Sequence, residues 1–336
     1  MTQRHLVAGA GLIGGYIGGA LQAAGAHVRF LGRPEKVGLW HDGLTLSDYQ
    51  GHKARLEPQC VTLDEMEPVD IIWVTVKCHA VDSMARQLAS ALKSTTCIYC
   101  CQNGLGAEQS VRSLYPDIKV LRAMVPFNVV GQSQAHLHRG SQGELTLEMD
   151  GSGISQSVFK RFQSPLLPIS LTEDIDVTLA AKLQLNLSNA VNALVDLPVK
   201  AMLQQRGYRC VIADLMEEWL RVVKASGRPL PKLTTLPATW LPALLRTPDW
   251  LFSRLAQSML AMDDSVRTSM WWDIHNGKQT EVDYLNGAVV EQGRRLGIAT
   301  PLNQAIVKLI HQLEKGEIRA GWQASQLSKV LRMPEG

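Results

Sequence analysis

Residues 7–19 read VAGAGLIGGYIGG, and this glycine-rich stretch decides the fold of the first half of the chain. An apolar run leads into it and a segment with helical periodicity continues from it, which is typical of a strand–turn–helix unit. In such a unit Gly9 permits a tight turn, Gly11 lets backbone N–H groups approach a pyrophosphate, and Gly14 lets the helix pack closely on the strand. A glycine turn without a ligand would not need three glycines with separate tasks. The stretch therefore predicts a dinucleotide site formed by Gly9, Ala10, Gly11, Leu12, Ile13 and Gly14.

The end of the next predicted strand bears on the choice between the two nicotinamide cofactors. Proteins that bind NAD place an acidic residue there, roughly 20 residues after the glycines, for the ribose 2′-hydroxyl. This chain instead has an arginine, Arg33, in the sequence FLGRP that begins at Phe30. Because an arginine can pair with a 2′-phosphate, the sequence predicts NADPH/NADP+ as the cofactor. The alternative is that Arg33 is a solvated loop residue.

The first half of the chain alternates short apolar runs with amphipathic segments, as parallel sheets covered by helices do. The clearest strands lie at 5–11, 27–32, 70–77 and 95–102, and the helices between them at 13–24, 80–92 and 107–114. After Lys119 the segments are rich in β-forming residues separated by glycine and polar turns, which predicts an antiparallel extension of the sheet. We therefore predict an α/β fold with a Rossmann-type, NADP-binding domain over residues 1–171.

The second half is predicted to be an all-α substrate and catalytic domain over residues 172–336. Long helical patterns cover 176–197 and 301–316, while five prolines confine 228–249 to short helical pieces and turns. The sequence Thr280-Glu-Val-Asp283 resembles a capping box, which predicts that a helix opens there and runs to Arg295. Pro301 suits the first turn of the last helix.

Composition and charge exclude several classes of function. With 46% hydrophobic and 19% charged residues and a net charge of +3, the chain is a globular protein without a nucleic-acid footprint. No apolar stretch reaches the roughly 20 residues that a membrane span needs, so we expect a cytoplasmic protein with no membrane partner. Cys97 and Cys100 lie in an apolar run and read as reduced core thiols. His136 and His138 have no nearby carboxylate or cysteine, so they read as surface histidines and no metal is predicted.

Five short motifs in a fixed order resemble the ketopantoate reductase family. They are Thr75-Val-Lys77, Gln102-Asn-Gly104, Lys182-Leu-Gln-Leu-Asn186, Ser269-Met-Trp-Trp-Asp273 and Thr280-Glu-Val-Asp-Tyr-Leu-Asn-Gly287. The resemblance covers nearly the whole chain except the proline-broken segment. It implies NADPH-dependent reduction of a 2-oxo acid, ketopantoate, to a 2-hydroxy acid in pantothenate biosynthesis. The family resemblance also suggests a homodimer. The apolar segments 250–252 and 270–272 belong either to the core or to such a subunit interface.

Lys182 is the candidate catalytic residue that chemistry and resemblance share. Reduction of a ketone leaves an alkoxide, and an ammonium group can supply the proton or the positive charge that it needs. On one helix Lys182, Asn186 and Asn189 fall on the same face, where two amides can hold a polar substrate. The alternative is that this lysine is exposed and idle and that the asparagines are surface residues, as such residues usually are.

The resemblance also assigns roles to residues outside this helix. It implies that Asn103 lies near the nicotinamide ribose and the substrate, that Ser269 binds the substrate carboxylate, and that Asp273 supports that group. It implies that Glu281 contacts the cofactor ribose or orients Lys182, and Lys77 can neutralise a cofactor phosphate. Each has an alternative interpretation: a turn at Asn103, helix caps at Ser269 and Glu281, a surface charge at Asp273, and an exposed loop lysine at Lys77.

The chain departs from the family pattern at two positions. A second substrate-binding asparagine, expected eight residues after the lysine, is Ala190 here, and a further asparagine is replaced by Lys200. The substrate pocket is then reshaped, with Asn189 as a substitute from the adjacent helical position. Two other functions therefore stay open: a reductase for a different hydroxy acid, phosphate ester or imine, and an NADPH-binding sensor without chemistry.

Overall fold

The strands and helices of the computed structural model divide into two units, Met1–Asp176 and Val177–Gly336. The structure describes residues 3–228, 236–261 and 263–332. Two of the five prolines predicted to break the segment 228–249, those at 229 and 231, lie outside the described residues. Within the described ranges, no helix combines the length and the apolar character that crossing a bilayer requires.

The first unit contains two sheets. Its strands are β1 Arg4–Ala8, β2 His27–Leu31, β3 Leu44–Asp48, β4 Lys53–Leu56, β5 Gln59–Val61, β6 Ile71–Val74, β7 Cys97–Cys100, β8 Lys119–Met124, β9 Val129–Ser133, β10 His136–Arg139, β11 Leu145–Glu148 and β12 Ile169–Thr172. The larger sheet has the order β12-β11-β8-β7-β6-β1-β2-β5, and the smaller one the order β4-β3-β10-β9. The helices of this unit are α1 Leu12–Ala23, α2 Pro34–Val37, α3 Val81–Gln87, α4 Glu108–Leu114 and α5 Ile154–Phe162.

The α/β fold class predicted from the sequence is confirmed, with a difference in the antiparallel extension. In the large sheet β8 is parallel to β7, and β11 pairs antiparallel with β8. The segments that follow β8, namely β9 and β10, instead join β3 and β4 in the separate sheet. The extension predicted after Lys119 is therefore shared between two sheets, because the glycine and polar turns that separate its strands let the chain leave the first one.

His136 and His138 in β10 are half-exposed and bonded to the neighbouring strand. The ring nitrogens Nε2 of His136 and Nδ1 of His138 lie 2.7 and 2.8 Å from the Ser47 hydroxyl oxygen on β3. They point to the same side because alternate residues of a strand share one face. The two rings thus link the paired strands through one serine.

The buried thiols of β7 behave as the apolar run predicted. Cys97 and Cys100 are buried and unbridged. Burial raises the pKa of both thiols to about 12, so both stay protonated near neutrality. In the part of the chain that the structure describes, no group of three or more His, Cys, Asp or Glu residues is placed to hold a metal ion.

A buried histidine joins the central strands of the large sheet. His5 in β1 accepts a hydrogen bond at Nδ1 from Trp73 Nε1 in β6, over 3.1 Å. The Trp73 ring stacks on Tyr99 of β7 with centroids 4.7 Å apart. Burial lowers the pKa of His5 to about 4, because the imidazolium form would lie in an apolar core without water.

We expect His5 to make the stability of the protein depend on pH. Its pKa is about 4 when folded and about 6.5 when unfolded, so the unfolded chain binds the extra proton first. The stability is complete above pH 6.5 and falls as the pH drops towards 4, by about 3 kcal/mol in all. His5→Asn keeps an acceptor for Trp73 without titrating, and should flatten this part of the profile. Urea unfolding between pH 4 and 7 measures it; an equally steep profile in the variant would rule out His5 as the cause.

The second unit is helical. Its helices are α6 Ile175–Asn186, which begins two residues before the unit, α7 Ser188–Val195, α8 Val199–Leu203, α9 Arg206–Ala225, α10 Leu241–Leu245, α11 Asp249–Leu255, α12 Gln257–Leu260, α13 Ser269–His275, α14 Asn286–Leu296, α15 Pro301–Glu314 and α16 Ala324–Leu331. Short helices α10 and α11 confirm the effect of the prolines in the described part of 228–249. The apolar segments 250–252 and 270–272 are each split, since Phe252 and Met270 are buried whereas Trp250 and Trp272 are exposed.

Two helix boundaries differ from those predicted. The helix expected from Thr280 begins at Asn286, and only a short 3-10 turn covers 282–284. The Thr280 N–H bonds to Glu314 of α15 over 2.8 Å rather than to Asp283, so no capping box forms. Pro301 starts α15 as predicted, and its first turn is capped by Glu218, which accepts from the N–H groups of Leu302 and Asn303. However, α15 is not the last helix, since α16 follows it.

Candidate functional site

Four parallel strands of the large sheet end at the same level. Leu31, Ala8, Val74 and Cys100, the last residues of β2, β1, β6 and β7, are register partners across the sheet. The loops that follow therefore leave from one edge, and they carry Gly9, Arg33, Lys77 and Asn103. Ligands of open α/β sheets bind at this carboxyl edge. The structure thus brings the predicted cofactor residues of all four loops to one side of the first unit.

The glycine turn after β1 is held tightly from both sides. The N–H of Gly9 donates to the carbonyl oxygen of Leu31 over 2.9 Å, and the φ of Gly9 is +114°. A Cβ on Gly14 would lie 2.2 Å from the Gly9 oxygen and 2.3 Å from Thr75 Oγ1. The Thr75 hydroxyl itself donates to that Gly9 oxygen over 2.8 Å. Only glycine at position 14 lets α1 approach the strand ends this closely.

The space above Gly11, in contrast to that around Gly14, is empty of protein atoms. Gly11 is the N-cap of α1, and a Cβ added there would meet nothing within 4 Å. The first N–H groups of a helix have no acceptor within the helix, and they carry its positive dipole end. Because Gly11 has no side chain to cover them, a phosphate can approach these donors. The space around Gly11 is open, whereas the space around Gly9 and Gly14 is filled by protein atoms. This arrangement fits a pyrophosphate bound at the helix N-terminus.

Arg33 lies at the end of β2 with most of its side chain in solvent. Its Nε is 3.6 Å from Glu35 Oε1, and the two side chains are 73% and 65% exposed. An exposed pair of this length contributes little free energy, so Glu35 is a weak competitor for the guanidinium. Arg33 is therefore accessible to a phosphate at the edge of the sheet.

The loops after β6 and β7 are tied together by Gln102, to which the sequence alone assigned no role beyond its place in a motif. The Gln102 amide donates from Nε2 to the carbonyl oxygens of Val74 and Val76, over 2.8 and 2.9 Å. Cys78 Sγ contacts the carbonyl oxygen of Asn103 at 3.2 Å. Lys77 and Asn103, both half-buried, thus stand on two loops that are bonded to each other. Gln102 is the first polar residue after the buried run 97–101, and this was the available signal for it.

In the second unit, the predicted polar face is present although the helix that carries it is interrupted. Between α6 and α7 stands Leu187, with φ −59° and ψ −24°, so the chain keeps an α-helical course. Lys182, Asn186 and Asn189 are all half-exposed, whereas Leu183 and Leu187 are buried. The lysine and the two asparagines therefore occupy a boundary position between core and solvent.

The two positions near the family's second asparagine have structural roles here. Ala190 is fully buried in α7. Asn192, also fully buried, accepts at Oδ1 from both N–H and hydroxyl of Thr268, each over 3.1 Å. Thr268 is the N-cap of α13, and its hydroxyl accepts from Trp271 N–H. Asn192 therefore fixes the start of the helix that presents Ser269, a role the sequence alone did not indicate.

The remaining predicted residues of this unit lie on α13 and the turn after it. Ser269 is the exposed first residue of α13, next to the capping Thr268. Asp273, one turn later, is only 8% exposed, so its alternative interpretation as a surface charge is wrong. Glu281 is 9% exposed and precedes the 3-10 turn at 282–284. Lys200 pairs with Asp264 over 2.7 Å on the surface.

Models of known families match both parts of the chain. Residues 5–150 match the family described as ketopantoate reductase PanE/ApbA, and residues 174–314 match its C-terminal family. A 2-dehydropantoate 2-reductase of Archaeoglobus fulgidus is 26% identical over 320 residues, which are 94% of this chain and 99% of that protein.

Solved structures have the same fold. A PanE/ApbA family ketopantoate reductase from Ralstonia eutropha aligns with a TM-score of 0.78 at 26% identity, over 94% of this chain and 99% of that one. A D-mandelate dehydrogenase, solved with NADH and anilino(oxo)acetate, aligns with a TM-score of 0.78 at 20% identity, over 93% and 99% of the two chains. At that identity the second likeness concerns the fold alone.

Proposed function

The chain belongs to the ketopantoate reductase PanE/ApbA family, and on that premise we propose that it reduces a small 2-oxo acid to a 2-hydroxy acid with NADPH. The class, an oxidoreductase, follows from the family. The observation that carries the cofactor part is the open space at Gly11, above the uncovered helix end, with Arg33 on the loop after the neighbouring strand. The 2-oxo acid is proposed from the family and from the lysine and asparagines on α6 and α7.

In this proposal NADPH, when bound, supplies the hydride that reaches the carbonyl carbon. Lys182 donates a proton from its ammonium group to the carbonyl oxygen, so that the C=O double bond becomes a C–O–H group. The lysine is left as a neutral amine and takes a proton from water for the next turnover. Asn186 and Asn189 orient the 2-oxo group through their amides, and Ser269 donates to the carboxylate. Asp273 supports that serine, and Glu281 contacts the cofactor ribose or orients Lys182.

Arg33→Ser is expected to weaken NADPH binding by roughly 10- to 100-fold, the value of one or two hydrogen bonds between charged groups. NADH binding should not change, because NADH has no phosphate at the ribose. The Kd values of both cofactors, from fluorescence titration, measure this. Glu35→Gln is the matched control, since it breaks the same ion pair but keeps the arginine; its NADPH affinity should be unchanged or higher. Equal loss of NADH and NADPH binding in Arg33→Ser would contradict a role in selectivity.

A second candidate substrate is a 2-oxo acid with an apolar substituent. Ala190 removes an amide that the family uses for a polar substrate, and Trp272 stands three residues after Ser269 on α13 with half of its surface exposed. Residues at this spacing are neighbours on a helix, so a group bound at Ser269 has an indole ring beside it. The D-mandelate dehydrogenase of the same fold was solved with an aromatic 2-oxo acid analogue.

The test is a panel of 2-oxo acids followed by the loss of NADPH absorbance. Ketopantoate and benzoylformate represent the polar and the aromatic candidates, and a higher kcat/KM identifies the substrate class. A protein that binds NADPH but reduces neither these nor other 2-oxo acids would contradict the proposal. An NADPH sensor, or a reductase of an imine or a phosphate ester, would then be the better description.

A further inference from the structure

A histidine outside the proposed substrate face is held between two carboxylates. His311 of α15 has its Nε2 2.9 Å from Asp283 Oδ1 and its Nδ1 3.0 Å from Glu314 Oε2. Both partners are acceptors, so both ring nitrogens must carry hydrogen for both bonds to form. The complete bridge therefore requires the imidazolium form of His311.

The bridge ties the residues on either side of Glu281 to α15. The second oxygen of Glu314, Oε1, accepts from the Thr280 N–H over 2.8 Å. Asp283, which binds His311, is the middle residue of the turn that follows. The carbonyl oxygen of Glu281 accepts from the N–H groups of Tyr284 and Leu285, over 3.0 and 3.1 Å. The residues that flank Glu281 are thus bonded to α15, the Thr280 N–H through Glu314 and the Asp283 carboxylate through His311.

We propose that His311 is a positioning residue, which fixes the turn that presents the Glu281 carboxylate by bridging Asp283 and Glu314. The inference rests on the proposed function, because only in that reaction does the position of the Glu281 carboxylate affect the rate. His311 itself is not placed in contact with substrate or cofactor. Its contribution is that a single protonated ring holds two carboxylates, one from the turn and one from its own helix, which would otherwise repel each other.

The charges around His311 set the direction of its pH dependence. Burial alone would lower its pKa, but the hydrogen bonds and charges of Glu314 and Asp283 outweigh burial and raise it above 6.5. The pKa of Glu314 is correspondingly lowered, since the bonds from His311 and Thr280 outweigh its burial. Lys308, Lys315 and Glu317 line the same surface hollow as His311. The bridge is therefore complete below the raised pKa of His311 and is lost as the pH rises through it.

The test compares the wild type with His311→Gln and His311→Arg. Glutamine has one amide donor group and cannot serve both carboxylates as a cation, whereas arginine is a cation at every pH and has several donors. His311→Gln should lower kcat about 10-fold below pH 6.5, where His311 is protonated, and His311→Arg should restore most of it. The ratio of wild-type to His311→Arg kcat should fall as the pH rises through the raised pKa of His311, because only the wild type loses its bridge. This ratio cancels any titration of Lys182.

Wild-type kcat in His311→Gln, or a pH-independent ratio, would overturn the proposal. A fall in kcat that tracks a lower Tm and is not rescued by arginine would also overturn it, because it would mark a purely structural role. A wild type that reduces no 2-oxo acid contradicts the proposed function instead. Amide hydrogen exchange at 280–285 separates the two failures, since it should be faster in His311→Gln whether or not the enzyme turns over. Unchanged exchange would show that His311 does not fix the turn.

Discussion

Lys182→Met is expected to lower kcat for the reduction of a 2-oxo acid on the order of 10³-fold, with little change in the Kd of NADPH. Methionine is close to lysine in length and keeps the apolar part of a half-buried side chain, but it can neither donate a proton nor stabilise an alkoxide. The loss should appear in kcat and kcat/KM alike, because the interaction strengthens only in the transition state. Single-turnover reduction in a stopped-flow instrument measures the chemical step directly.

Lys224→Met is the matched control for that variant. Lys224 is an exposed lysine in the last turn of α9 and is not among the proposed substrate residues, so the same substitution removes a charge of the same unit without touching them. We expect its kcat to stay within about twofold of the wild type. Equal activity of Lys182→Met and Lys224→Met would remove Lys182 from the mechanism, while the family assignment would stand.

Gly14→Ala is expected to destabilise the protein by about 3 kcal/mol or more, or to prevent the first unit from folding. The added methyl group would meet a backbone oxygen at 2.2 Å and Thr75 Oγ1 at 2.3 Å, so α1 would have to move away from the strand ends. A backbone oxygen cannot rotate out of the way as a flexible side chain can. Urea unfolding measures the stability, and titration of whatever folded protein remains measures NADPH binding.

Gly11→Ala separates packing from cofactor binding in the same turn. Nothing lies within 4 Å of a Cβ at position 11, so the free energy of unfolding should change by less than about 1 kcal/mol. NADPH binding should nevertheless weaken at least tenfold, because the methyl group would enter the space proposed for the pyrophosphate. Substitution of Gly14 would then lower the stability of the protein, and substitution of Gly11 would lower its affinity for NADPH. If Gly11→Ala bound NADPH as tightly as the wild type, the phosphates would have to lie elsewhere.

The first unit could be predicted from its sequence because its signals are local. The glycines after β1, the apolar runs of β6 and β7, and the arginine after β2 each act within a few residues of their own position. The small sheet was not recognised, since β3 pairs with β10 from a segment about 90 residues further along the chain. Ser47 contacts His136 and His138 only because that pairing exists.

The second unit shows where local patterns mislead. Thr280-Glu-Val-Asp283 has the residues of a capping box, but Glu314, 34 positions later, takes the N–H that the box would have used. Asn192 similarly acts on Thr268, 76 positions away. Side chains that bond to distant backbone groups leave no periodic trace, so their roles became visible only in the fold. The polar face of Lys182, Asn186 and Asn189 was predictable because its spacing is that of a single helix.

The amide of Gln102, which ties the loop after β7 to the loop after β6, affects how a cofactor would be received. Two loops that are already bonded to each other have little conformational entropy left to lose when a ligand arrives. The Thr75 bond to Gly9 extends the same restraint to the glycine turn. The carboxyl edge of the sheet is therefore preorganised, and more of the energy of each contact is available as affinity rather than spent on ordering the loops.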